Sequence, residues 1–211
     1  MILIHSYYFS RQKRIFDILL ATLLSVILVP LSGIIAITIL ITTGFPIIFK
    51  QKRTGKNGNT FTLYKFRSMQ KNASLMKHKY EALNEAPLPM FKIHDDPRFV
   101  GIGRFLSRSG LDELPQLWNI FKGEMSFVGP RPLPVHEAEA LPKEWRDFRE
   151  QVQPGIFSHW AYSWERHKSL KNWENQEKKT LRNGSLLHDL LLINAVLFSQ
   201  LFLFTKRKKI L

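Results

Sequence analysis

The sequence contains no cysteine. That excludes a disulfide scaffold and a thiolate metal site, and it fits the reducing side of a membrane. Acidic residues are scarce: 17 Asp and Glu stand against 31 Lys and Arg, for a formal net charge of +14. Such an imbalance points to polyanionic partners, whether nucleic acid, anionic lipid headgroups or phosphorylated substrates, and composition does not choose among them. Charge is scarcest near the N-terminus, where Asp17 is the only charged residue between Ile15 and Phe49. Nucleotide-loop signatures are missing too. Gly55-Lys56 has the wrong spacing for a phosphate-binding loop, and Gly101 and Gly103 lack the third glycine of a dinucleotide fingerprint. His78, His94 and His136 show no metal-ligand spacing and read as surface or packing residues.

What is present begins with that apolar stretch. The run from Ile18 to Phe49 exceeds the roughly 20 residues that a spanning helix requires and is too long for the core of a signal peptide. Pro30 falls near its middle, followed by Ser32 and Gly33. Lys13 and Arg14 precede the run, and Lys50, Lys52 and Arg53 follow it. Two readings fit: a spanning helix kinked at Pro30, or one that enters the bilayer, bends and returns. Basic residues prefer the cytoplasm, and only the second reading satisfies both flanks. Two arms of about 15 residues, near 22 Å each, would penetrate without crossing.

Thr60 to Met69 alternates and is rich in aromatic and β-branched residues, so it predicts a strand. Lys56-Asn57-Gly58-Asn59 is a turn signal, and a hairpin pairing Ile47–Lys52 with Phe61–Phe66 follows. Alternation places Leu63, Lys65 and Arg67 on one face, where two cations suit either solvent or an anion. Gln70 to Ala86 reads as a surface helix stopped by Pro87 and Pro89. Leu186 to Phe204 is apolar with polar interruptions; its length permits a spanning helix, but an interfacial or packed helix with a basic tail, Lys206 to Lys209, fits better. Trp160, Trp164 and Trp173, with Tyr162, Arg166, Lys168 and Lys171, read as a base-stacking surface or as an interfacial aromatic belt, and the apolar segments at both ends favour the belt.

The densest stretch runs from Ser107 to Pro132. Leu114, Leu117, Trp118 and Phe121 recur at helical spacing, and Gly123 sits where such a helix stops. Pro115 is tolerated only in a first turn, so the helix is expected to start near Asp112. Asp112 and Glu113 then sit at a helix N-terminus, a place that favours negative charge and suits phosphate. Arg104, Arg108 and Arg131 are close in sequence, and Arg131 is stiffened by a proline on each side. On residue types alone an ordinary capping box from Ser109 to Asp112 explains the acids more readily, since capping pairs are far commoner than catalytic ones.

The combination resembles the bacterial sugar transferases, the monotopic phosphoglycosyl transferases. Their Asp-Glu dyad, Leu-Pro-Gln-Leu, Gly-Glu-Met-Ser and Gly-Pro-Arg-Pro segments occur here in order between Asp112 and Pro132. Gln51, Arg53, Gly55, Gly58, Phe61 and Lys65–Met69 are similar to upstream family patterns, as are Asp96-Pro97-Arg98 and the Gly101–Arg104 approach to the dyad. The resemblance covers the chain from about Arg14 to Phe204. It implies an α+β fold: a mostly helical, membrane-associated domain with a small β-hairpin or sheet, a re-entrant helix within residues 1–49, and interfacial amphipathic helices. Residues 50–211 would form a catalytic domain on the cytoplasmic face of a bacterial inner membrane, in the family's minimal form.

The resembled reaction moves a sugar 1-phosphate from a UDP-sugar donor to polyprenyl (undecaprenyl) phosphate and releases UMP, initiating a surface glycan. Asp112 would be the nucleophile and Glu113 a contact for Mg2+. Lys65, Arg67, Arg98, Arg104, Arg108 and Arg131 would bind substrate phosphates. Expected partners are the two substrates and membrane lipids, with no nucleic acid; homo-oligomerisation is left open. Two departures stand out: Val29-Pro30 replaces the usual Ser-Pro at the bend, and Phe157-Ser158 replaces Thr-Gly, which unsettles the choice of sugar and admits altered chemistry. The non-enzyme alternative is a membrane-anchored basic protein that binds nucleic acid or anionic lipid; it leaves the Asp-Glu pair unexplained.

Overall fold

The computed structural model describes residues 3–162 and 169–207. A 3-10 turn at Ser6–Phe9 leads into α1, Arg11–Thr43. Ser10 starts α1 by accepting the Lys13 amide on its hydroxyl, and Gly44, at φ 73°, ends it. Its 33 residues correspond to about 50 Å. Among the described residues it is the one helix long and apolar enough to cross a membrane. The helix is continuous through Pro30.

Two stretches of α1 are buried: Lys13, Asp17 and Ala21, and then Ile35 and Ile39. Each set repeats at four-residue spacing and so lies on one face. Val26, Ile27 and Val29 between them are exposed. Ala21 packs with Phe61, Leu63, Ile120 and Phe127, and Ile35 and Ile39 with Phe66 and Leu106.

After α1 comes the expected hairpin. β1, Ile48–Thr54, pairs antiparallel with β2, Thr60–Phe66, setting Ile48 opposite Phe66 and Thr54 opposite Thr60. The long loop that follows ends at α2, Gly103–Ser109, and then α3, Gln116–Phe121. A second sheet pairs β3, Ser126–Val128, in parallel with β4, Gly155–Phe157. Between these strands lie α4, Val135–Glu139, and α5, Lys143–Arg149. The chain closes with α6, His159–Tyr162, α7, Leu170–Arg182, and α8, Leu186–Arg207. The α+β class is as the sequence implied.

α8 packs Leu192 and Val196 against Tyr8, Phe148 and Leu181. It also brings a charge to the foot of α1. Lys13 Nζ lies 2.9 Å from Asp17 Oδ1 and 2.7 Å from Asp189 Oδ2, all three side chains being buried. Asp17 Oδ1 also accepts the Phe127 amide at 3.2 Å, and the Tyr7 hydroxyl donates to Asp189 at 3.3 Å.

Two expectations are corrected. Gln70 to Ala86 is not a surface helix but a run of turns with one 3-10 segment at His78–Leu83. The carbonyl of Ala73, which a helix would give to residue 77, instead accepts from Arg98 at 2.8 Å. Further on, the Asn84 side chain takes the amides of Ala86 and Lys92 and donates to the carbonyls of Ala86 and Met90, so side-chain bonds replace the helical ladder. Trp160 and Trp173 do not form a surface belt either. They are 7% and 3% exposed and stack at 4.3 Å inside a core shared with Trp145 and Leu133. Trp164, Arg166, Lys168, Lys208 and Lys209 lie outside the described residues.

Candidate active site

Gly110 adopts φ 75° after α2, a left-handed conformation that glycine takes without strain. It redirects the chain into a 3-10 turn, Leu111–Glu113. The acidic pair therefore stands on this turn and not in the first turn of α3, which Pro115 caps and Gln116 begins. The amides of Glu113 and Leu114 bond back to Gly110 and Leu111, and α3 has six residues. Side chains, not a helix terminus, must supply the positive charge.

β2 supplies it first. Lys65 Nζ lies 2.6 Å from Glu113 Oε1 and 3.8 Å from Asp112 Oδ2. Asp112 is 5% exposed. Burial pushes its carboxyl up to about 6, against the pull of Lys65 and with help from the Glu113 charge. Burial raises Glu113 as well, but Lys65, Arg131 and Arg53 together hold it below the usual carboxylate value. The two acids are thus pushed apart, one drier and more basic, the other held ionised, a division that often marks catalytic pairs.

Arg131 enters from the segment after β3. Gly129 and Gly155 make that approach sterically feasible: a Cβ on Gly155 would sit 2.1 Å from the Gly129 nitrogen, and one on Gly129 would sit 2.5 Å from the Gln153 oxygen. Pro132 is tied to the hairpin, its carbonyl accepting from Arg53 at 2.9 Å. The Arg131 guanidinium lies 5.1 Å over the Trp160 ring. Burial, with Arg131 nearby, lowers Arg53 to about 10, still charged at neutral pH.

These groups line a cleft of about 650 Å³. Lys65, Arg67, Arg98, Arg108, Asp112, Glu113 and Arg131 all face it; Arg104 does not. Arg104 Nη1 stands 3.6 Å from Asp95 at the surface, and Arg108 also pairs with Asp95. Arg98 lines the cleft but is committed to Asp96 and the Ala73 carbonyl. Arg67 donates to Thr43 Oγ1 and to the Gly44 carbonyl at 2.6 Å, joining the cleft to the end of α1. Phe157 and Ser158 do not line the cleft, whereas Ile156 does.

The family resemblance implies that Arg53, in the upstream pattern, lines the substrate site or the headgroup surface, and it lines the cleft. Gln116, 2% exposed, lines the space between Glu113 and Arg131. Glu177, far along the chain on α7, accepts the Arg131 amide at 3.2 Å. No local pattern marks Glu177, since its surroundings read as a charged amphipathic helix.

Buried Asp112 and partly buried Glu113, faced by a lysine and arginines, thus line a cleft at the end of a long apolar helix. The chain belongs to the bacterial sugar transferase family, whose sequence model matches residues 8–202. It is 43% identical over 120 residues to a galactosyl transferase, CpsE, of Streptococcus agalactiae, covering 57% of this chain and 26% of that one. It is 35% identical over 186 residues to the exopolysaccharide production protein ExoY of Sinorhizobium fredii, covering 86% and 82%. It is 37% identical over 158 residues to an undecaprenyl-phosphate galactose phosphotransferase of Salmonella typhimurium, covering 72% and 32%. The chain thus spans about a third or less of two of these relatives and most of the third.

Proposed function

We propose that this protein transfers a sugar 1-phosphate from a UDP-sugar to a polyprenyl phosphate at a bacterial inner membrane, the initiating step of a surface glycan. The observation that carries the reading is buried Asp112 beside partly buried Glu113, both against Lys65 in the arginine-lined cleft. The printed name of the Salmonella relative supports the lipid acceptor.

Asp112 is the nucleophile. One of its carboxylate oxygens forms a bond to the phosphorus bearing the sugar, and the bond to the UMP oxygen breaks, UMP leaving with the electron pair. An oxygen of the polyprenyl phosphate then attacks the same phosphorus and expels the Asp112 carboxylate. Splitting the transfer keeps the two anionic substrates from having to meet in one step. Burial makes Asp112 a stronger nucleophile than an ordinary carboxylate, while Lys65 and Arg131 offset the charge gathered on the phosphoryl group.

Two adjacent carboxylates also match the donor set that Mg2+ takes beside substrate phosphates. Glu113, held ionised, would hold the ion, with Asp112 alongside. When bound, the ion would neutralise phosphate oxygens. The re-entrant course of α1 is supported by its two buried stretches, which pack on the same body.

The test is UMP release by the purified chain in nanodiscs with magnesium, undecaprenyl phosphate and a panel of UDP-sugars. Release with at least one donor is expected, falling on the order of 10³-fold or more in Asp112→Asn. Undiminished release by that variant would remove Asp112 as nucleophile, and no release with any donor would remove the reading.

A further inference from the structure

Glu177 is fully buried, 46 residues from Arg131 in sequence. A buried carboxylate is costly unless donors surround it. Here its two oxygens receive Arg149 Nε at 3.1 Å and Nη2 at 2.9 Å, Trp145 Nε1 at 3.0 Å, Trp173 Nε1 at 3.1 Å and the Arg131 amide at 3.2 Å. Were packing the whole purpose, apolar side chains of similar volume would serve as well or better, because a buried ion pair seldom outperforms them. The arrangement calls for a reason beyond filling space.

The Arg131 peptide supplies one. Pro130 and Pro132 have no N–H, so Arg131 carries the only amide in that triplet. Glu177 accepts it, and Arg149 Nη2 donates to the Arg131 carbonyl at 2.5 Å. Both polar groups of the residue are therefore held by one buried ion pair. A second route leads from the same carboxylate to the same side chain. Trp173, held through its indole N–H, stacks on Trp160, and Trp160 lies under the Arg131 guanidinium. Backbone and guanidinium are each constrained, the ring of Trp160 forming part of the cleft wall, and Arg131 shares a smaller recess with Lys65 and Glu113.

We infer that Glu177, with Arg149, is a positioning residue: the pair clamps the Arg131 peptide so that its guanidinium is preorganised for the substrate's phosphate. The inference rests on the transfer reading above and extends it to α5 and α7. Preorganisation of this kind raises rate by removing a reorganisation step, so its loss is felt only while Arg131 is present.

The test is a double-mutant cycle on the full chain in nanodiscs with magnesium: Glu177→Gln, Arg131→Ala and both together. Turnover (kcat and KM for the donor), equilibrium affinity for UDP, and melting temperature are read in parallel. Glu177→Gln is expected to lower kcat/KM by about tenfold in the unaltered background but by less than about twofold in Arg131→Ala, while the melting temperature falls equally in both. UDP affinity should show the same non-additivity. Arg149→Lys, which keeps a charge for Glu177 but loses the fork that reaches the Arg131 carbonyl, should repeat the pattern and serves if Glu177→Gln does not fold. Equal fold-losses in both backgrounds, or no loss in either, would overturn the clamp. If the unaltered protein turns over no donor, the transfer reading fails, and the UDP cycle still decides the clamp.

Discussion

At Asp112, 5% exposed, burial works against the charged form of the carboxyl. Its carboxyl is buried and raised from 3.8 to about 6, so the folded chain binds that proton more tightly than the unfolded chain. Stability therefore falls as pH rises through this window, and the full cost stands above it. At about 1.4 kcal/mol per unit, the cost is at most on the order of 3 kcal/mol. Asp112→Asn removes the charge, so this variant is expected to melt at a higher temperature than the unaltered protein at pH 7.5, with the gain shrinking toward pH 4. Transfer itself should decline as pH drops through about 6, since the protonated carboxyl cannot attack. A variant that melts lower at pH 7.5 would mean that Lys65 depends on Asp112 more than burial penalises it.

At the scale of elements, the foot of α1 is held by charge in an apolar setting. Lys13 bridges Asp17 and Asp189, so the three residues are not equivalent. Removing Asp17 leaves a neutral Lys13–Asp189 pair; removing Lys13 leaves two buried carboxylates without a counter-charge. Lys13→Met is expected to cost about 3–5 kcal/mol, or to prevent folding. Asp17→Asn, which keeps an acceptor for the Phe127 amide, should cost roughly 1–2 kcal/mol, as read by thermal melting in nanodiscs. Here the limits of sequence reading become physical. Asp17 is the lone charge in its run, yet Asp189, the second acid that shares Lys13 with it, lies on α8, and nothing local encodes that arrangement. The β1–β2 hairpin was legible because its turn residues and alternation lie within one short segment. The acid pair was legible as a motif, but its backbone was placed one turn too early, because Pro115 suits a cap as well as a first turn. Trp160 and Trp173 lie in the core and not at a surface, because aromatic–basic interleaving looks the same when a buried Glu177 takes the Trp173 indole N–H and Trp160 stacks on that ring.

For the whole molecule, the question is on which side the two ends of α1 emerge. The protein has no cysteine, so single cysteines report cleanly. Gln12→Cys and Lys52→Cys, both at exposed positions, are expected to react with an impermeant maleimide from the same, cytoplasmic side of sealed vesicles. Labelling from opposite sides would show that α1 crosses. Whichever course the bilayer imposes, α1 is not a tether attached to an independent globule. Ala21 completes one core, Ile35 and Ile39 complete another, and Thr43 and Gly44 receive Arg67 from the wall of the cleft. Shortening the gene to obtain a water-soluble enzyme would therefore open holes in two cores and strip a cleft arginine of its acceptors. Grafting a generic anchor in place of α1 would do the same, so solubilisation has to come from the lipid side, by detergent or nanodisc, with the helix kept.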